Sequence, residues 1–226
     1  MEFESFVFLA AMALAVFVYF KRKRARQLAY IRSYEFHPTL SRKVKERYPH
    51  LSEEKLEMVF DGLRDYFCFC NQARKRMVAM PSQVVDVAWH EFIIFTRSYE
   101  SFTRKAIGRF LHHTPTEAMK SPTKAQEGIK RAWRLACAKE DIDPSAPTRL
   151  PLLFAIDSIL NIEDGFNYSL NCEDTSSNKR GQHYCAGHIG CASGCGGDSS
   201  TSSDSGGFFD GFGGSSDCGG GGCGGD

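Results

Sequence analysis

The run Ser5–Phe20, SFVFLAAMALAVFVYF, holds no charged side chain, and Lys21, Arg22, Lys23, Arg24 and Arg26 follow it at once. No other feature limits so strongly what the chain can become. A bilayer core of about 30 Å takes roughly 17–25 helical residues. Phe3–Phe20 reaches the low end of that range, and the amphipathic stems of Tyr19, Arg and Lys extend it toward the interface. One Asp, Lys or Arg at the centre of such a helix costs about 2.5–3.5 kcal/mol, so a charge-free run is meaningful. The expectation is a single transmembrane helix. Glu2 and Glu4 stand before it, with no basic side chain. Positive residues stay on the cytoplasmic side, which puts the N-terminus outside and the body in the cytoplasm. A secretory leader would carry its basic residues before the apolar run and a small-residue cleavage site after it. A buried soluble helix would leave the KRKRAR cluster without a role.

Charge and glycine divide the remainder. Up to Leu170 there are 26 Lys and Arg against 20 Asp and Glu; from Asn171 on there are 2 against 7. Of 21 glycines, 17 fall in that last part, as do six of nine cysteines. The basic excess is mostly the cluster after Phe20, where it can also meet anionic lipid. A continuous basic surface is absent, which argues against a nucleic-acid partner. Three parts result: 1–26, a transmembrane anchor with basic flank; 27–170, a helical cytoplasmic domain; 171–226, a disordered Gly/Ser/Cys-rich tail. Cys68, Cys70 and Cys137 sit in apolar contexts and read as reduced, buried thiols.

The apolar spacing of the middle part is helical throughout, so the fold class is all-α, a compact bundle of five to seven short helices. One segment covers Leu40–Tyr48. Ser52 offers an N-cap, with Glu53 and Glu54 in the first turn of the next helix. Pro81 opens a helix over Ser82–Arg97, Gly108 punctuates the stretch after it, and Ser121-Pro122 opens one to about Glu140. Leu152–Leu160 is the last apolar segment.

On the helix after Pro81, Asp86 and His90 are one turn apart and can touch. A carboxylate there would fix the imidazole tautomer. Downstream, Arg109-Phe-Leu-His112-His113-Thr-Pro115 supplies two more imidazoles. If the segments pack antiparallel, His90 and either His112 or His113 share a pocket with Asp86, and two His plus one carboxylate suit zinc or non-haem iron. The plainer reading is a structural Asp–His hydrogen bond. No HExxH motif occurs.

The segments PSQVVDVAWHEFIIFTRSY (81–99) and GRFLHHTP (108–115) resemble the glycine-rich domain-containing protein-like family, in which a D-x-x-W-H helix precedes a His-bearing segment. The likeness spans roughly Leu51–Pro115. It implies a helical fold and carries no enzymatic activity across. Some plant members bear RNA-binding segments; no RNA-recognition motif occurs here. The anchor before the domain and the Cys-bearing tail look more like bacterial, membrane-anchored relatives, which implies a bacterial inner membrane.

In the tail, His183, Cys185, His188, Cys191 and Cys195 gather five soft ligands into thirteen residues. Four suffice for tetrahedral zinc, and the intervening glycines permit tight turns. The spacing matches no standard zinc finger. An unstructured reduced tail, or disulfides and covalent modification, are the other readings. Two functions result. The first is a membrane-anchored interaction or scaffold module, with a protein partner and a metal-binding tail, zinc being the suited ion. The second is a metal-dependent enzyme using Asp86, His90 and His112 or His113. No nucleophile–base pair, phosphate loop or GxSxG context is present, so the first is preferred and no catalytic residue is assigned.

Overall fold

Helix α1 spans Glu2–Arg32, 31 residues, about 46 Å at 1.5 Å per residue. The computed structural model describes residues 2–113, 122–170, 183–185 and 189. Along the first two-thirds of α1, Phe6, Phe8, Leu14, Phe17 and Phe20 are exposed. This helix is long and apolar enough to cross a membrane, and none of its apolar window is buried. Its last third enters the body: Ile31 is fully buried, and Leu28 and Tyr30 pack against the core. Arg24 Nη2 donates to Gln72 O at 3.1 Å. Gln27 Oε1 accepts from Asn71 Nδ2 at 3.2 Å, and the same Nδ2 donates to Ala106 O at 2.8 Å. The boundary read between residues 26 and 27 therefore falls inside a helix. Lys and Arg are good helix formers, so a charge cluster changes the environment without breaking the backbone.

Among the described residues, six further helices make the body: α2 (Pro38–Arg47), α3 (Glu53–Ala73), α4 (Gln83–Ile94), α5 (Thr96–Ala106), α6 (Pro122–Lys139) and α7 (Leu152–Ile159). This is the all-α bundle expected from spacing. Ser52 caps α3 as expected, its side chain accepting from Lys55 N. Helix α3 is the central element, packed by α1, α4, α6 and α7. An aromatic cluster joins α3, α4 and α5: Phe67 and Phe102 lie 4.8 Å apart by ring centroid, Tyr66 and Trp89 4.9 Å, Phe92 and Tyr99 5.3 Å. Tilted and edge-on ring pairs of this kind add about 0.5–1.5 kcal/mol beyond their buried area. Cys68, Cys70 and Cys137 are buried free thiols, as expected. Burial pushes their titration up to about 11, 12 and 11, which leaves them unreactive.

Two departures from the sequence reading bear on the site. The stretch expected as one helix, Ser82–Arg97, is two: α4 ends at Ile94, and Phe95, at φ −77° and ψ 58°, is the joint to α5. No Pro or Gly marks it. The turn brings Tyr99 and Phe102 back onto the core, both 1% exposed. Second, two three-residue strands, β1 (Asn167–Ser169) and β2 (His183–Cys185), pair in parallel with Tyr168 opposite Tyr184. Three residues are too few to show a period-2 pattern. Apart from β2 and Ile189, the expected disorder of the tail concerns residues outside those described, as does Ser121.

The start of α4 is fixed from far along the chain. Asp157, on α7 and 2% exposed, accepts from Ser82 Oγ (2.7 Å), Gln83 N (2.7 Å) and Val84 N (3.2 Å), and from Phe166 N (2.9 Å). A helix N-terminus leaves its first N–H groups unpaired and favours negative charge, so a carboxylate there is doubly stabilised. Burial still raises the Asp157 carboxyl above its ordinary value, with the four hydrogen bonds pulling the other way. Gly165 permits this approach: a Cβ there would sit 2.7 Å from Asp157 Cβ and 2.9 Å from Ile162 O.

Candidate metal centre

With its start pinned by Asp157, α4 presents Asp86 and His90 one turn apart. His90 Nε2 lies 3.3 Å from Asp86 Oδ2. The third member comes from the segment after α5. Gly108 ends that helix at φ +83°, in the left-handed region that suits glycine. The chain then runs back over α4. A hydrogen-bond relay holds it there: Trp89 Nε1 donates to Tyr99 OH at 3.1 Å, and Tyr99 OH donates to Leu111 O at 2.6 Å. His113 is thereby set with Nε2 3.2 Å from Asp86 Oδ1 and 3.2 Å from His90 Nε2. Its ring stands edge-on to Trp89 at 4.4 Å and to His90 at 4.3 Å.

These three contacts cannot all be hydrogen bonds. Each Nε2 carries one proton or none. If both are protonated, both donate to Asp86, and the two N–H groups oppose each other across 3.2 Å. If one is protonated, a single contact is satisfied and a lone pair faces an oxygen or nitrogen elsewhere. A cation among the three groups satisfies all of them. Bonds of about 2.0–2.1 Å imply ligand separations of about 3.4 Å in a tetrahedron and about 2.9 Å in an octahedron. The two imidazole nitrogens, 3.2 Å apart, lie between these, and the carboxylate meets them through its two oxygens, Oδ1 3.2 Å from His113 and Oδ2 3.3 Å from His90. One ligand atom from each of Asp86, His90 and His113 fits within 4.8 Å of the others.

The surroundings suit a charged centre with one open side. His113 is 15% exposed, Asp86 27% and His90 50%, so solvent reaches the site past His90. Burial pushes the Asp86 carboxyl up, but hydrogen bonds from His113 and His90, with their charges, outweigh it and hold the group below its ordinary value.

Of the sequence candidates, Asp86, His90 and His113 converge. His112 does not: it is exposed, its ring against Phe110 at 4.8 Å. In the tail, His183 and Cys185 lie in β2, while His188, Cys191 and Cys195 are outside the described residues. Nothing in the sequence marks Tyr99 as the residue that places His113. No local signal ties Tyr99 to Leu111, since the bond depends on how α5 turns at Phe95.

The UCP032817-like family matches residues 26–189, from the cationic cluster through the helical body and β2. The chain belongs to this family. The family is uncharacterised, and the match lends it no activity. It takes the place of the likeness to glycine-rich domain-containing proteins, which the comparisons do not show; short D-x-x-W-H and histidine segments are too brief to separate families. No curated protein and no solved structure matches the chain.

Proposed function

We propose that this member of the UCP032817-like family is a membrane-tethered helical module that holds one divalent transition ion, zinc being the best suited, with Asp86, His90 and His113. The observation that carries the reading is the convergence of two imidazole nitrogens, 3.2 Å apart, on the two oxygens of one carboxylate at 3.2 and 3.3 Å, with one ligand atom from each residue within 4.8 Å of the others. That donor set suits zinc or iron. The tether reading rests on the exposed apolar part of α1 and the cations after it, and places the body on the cytoplasmic side.

Metal analysis of the full chain, purified natively in detergent, tests the site. One zinc or iron per chain is expected, falling at least roughly tenfold in His90→Ala and in Asp86→Asn with the helical signal unchanged. Wild-type protein free of transition metal, and unable to take up zinc or cobalt on titration, overturns it. A purely structural trio would lose stability in these variants with no metal to lose. The tail set His183, Cys185, His188, Cys191 and Cys195 is a separate proposal, resting on ligand type and spacing. It adds a second ion per chain, one that survives Asp86→Asn. Carbonate extraction tests the tether, and protease added to intact cells tests the orientation.

A second reading has one observation behind it. Three protein ligands leave a coordination position, and the half-exposed His90 marks the side on which water or a substrate would reach it. A metal-dependent enzyme would then use Asp86, His90 and His113 as ligands. Metal-dependent hydrolysis of a model ester, lost in His90→Ala, would favour it over a binding module.

A further inference from the structure

Between α1 and the end of α5 runs an open groove of about 1020 Å³, lined along α1 from Ala11 to Tyr30 and closed on the other side by Arg104, Lys105 and Gly108. Its lining divides by chemistry. The lower part is apolar, with Leu14, Ala15 and Val18 on one helical stripe; the upper part holds Arg22, Lys23, Arg26 and Lys105. No ion pair among the described residues involves these four cations. Arg104, by contrast, is paired with Glu100 at 2.8 Å. The Lys105 ammonium leans over the Tyr30 ring, 6.0 Å from its centroid. The stripe from Ala11 to Arg22 is about 16 Å long at 1.5 Å per residue, the reach of an acyl chain beneath a headgroup.

We propose that this groove seats one anionic phospholipid of the bilayer, its phosphate among Arg22, Lys23, Arg26 and Lys105 and an acyl chain along Leu14, Ala15 and Val18. The argument is charge complementarity joined to an apolar seam. Four cations without carboxylate partners among the described residues favour a headgroup of net negative charge, and the seam continues from them in the direction an acyl chain would take. Diffuse attraction to a membrane surface needs only the basic cluster of α1. Here α5 adds Lys105, 79 residues beyond Arg26, to the same groove. The proposal rests on the membrane-tether reading and makes it specific.

The test uses the full chain in nanodiscs of phosphatidylcholine with phosphatidylglycerol, and counts lipids retained per chain by native mass spectrometry after release into detergent. One retained phosphatidylglycerol is expected in wild type. Lys105→Glu should lower its retention at least roughly fivefold, the change that about 1 kcal/mol of attraction per cation represents. Lys105→Gln should act in the same direction and less strongly. Lys21→Glu, with the same charge change on α1 but outside the groove lining, should retain the lipid. Equal losses in Lys105→Glu and Lys21→Glu would reduce the effect to surface attraction and overturn the site. So would equal retention of phosphatidylcholine, or displacement of the lipid by glycerol phosphate, which would mark a soluble-phosphate site. Carbonate extraction on the same membranes keeps the two readings apart. Release of wild type defeats the tether itself, whereas retention of wild type and variant alike with unchanged lipid counts defeats the groove alone.

Discussion

Asp157 and Asp86 both meet helix α4, and they are handled in opposite ways. Asp157 reaches the start of the helix from α7 and is surrounded by a hydroxyl and three backbone N–H groups, donors whose protonation is fixed. Asp86 sits in the first turn of the same helix and faces two imidazole nitrogens, which can lose their protons. The difference teaches how to tell a structural carboxylate from one placed for chemistry. A buried acid answered in full by fixed donors has no capacity left for a ligand. A partly open acid answered only by titratable nitrogens can exchange its protons for a metal.

The comparison breaks most visibly at Asp157. Replacing it by Ala leaves four donors without an acceptor at a buried helix start, and unfolding by denaturant should show a loss of about 3–5 kcal/mol. Asp86→Ala should cost far less, because its partners can turn to water. Equal losses at the two positions would erase the distinction.

Tyr99→Phe sharpens it. The hydroxyl that joins Trp89 to Leu111 disappears while the ring stays. A buried Leu111 carbonyl and indole N–H are then unpaired, at about 1–3 kcal/mol of stability. Zinc affinity should fall about tenfold as His113 loosens, as when an outer partner of a metal ligand is removed. Competition against a zinc-responsive dye reads this, and unchanged affinity would detach the relay from the site.

The smallest effect is in the acid response of the metal-free protein. The Asp86 carboxyl is held below its ordinary 3.8, so its stabilisation is present above that pH and is lost as pH falls through the lowered value. The Asp157 carboxyl is raised above 3.8, so the share of its stability that comes from holding a proton is fully present below that pH and is lost as pH rises through the raised value, while its four hydrogen bonds remain. Asp86→Asn should therefore flatten the loss of stability on the acid side of pH 3.8, as read by denaturant midpoints at successive pH values. An unchanged profile would mean that Asp86 gains nothing from its imidazoles.

What could be read in advance follows the range of each interaction. The Asp86–His90 pair is one helical turn and stood out by spacing alone. That His113 rather than His112 completes the site was not readable, because the choice is made by the Tyr99–Leu111 bond and by the turn at Phe95, both products of tertiary packing. The cap from Asp157 lies 75 residues from Ser82 and left no trace beyond an acid in an apolar segment. The exposed apolar helix was plain from its uncharged run. Its passage into the core was hidden, since Leu28, Tyr30 and Ile31 follow a cationic stretch that looks like an ending.

That unbroken passage has a mechanical meaning. In α1 the apolar stretch, the cations and the core-facing Ile31 share a single helical phase, with no joint at which one could turn against another. Inserting one residue near Arg22 would rotate everything before it by about 100° relative to everything after it. The azimuth at which the body stands on its stem is thus written into the residue count between Phe20 and Leu28.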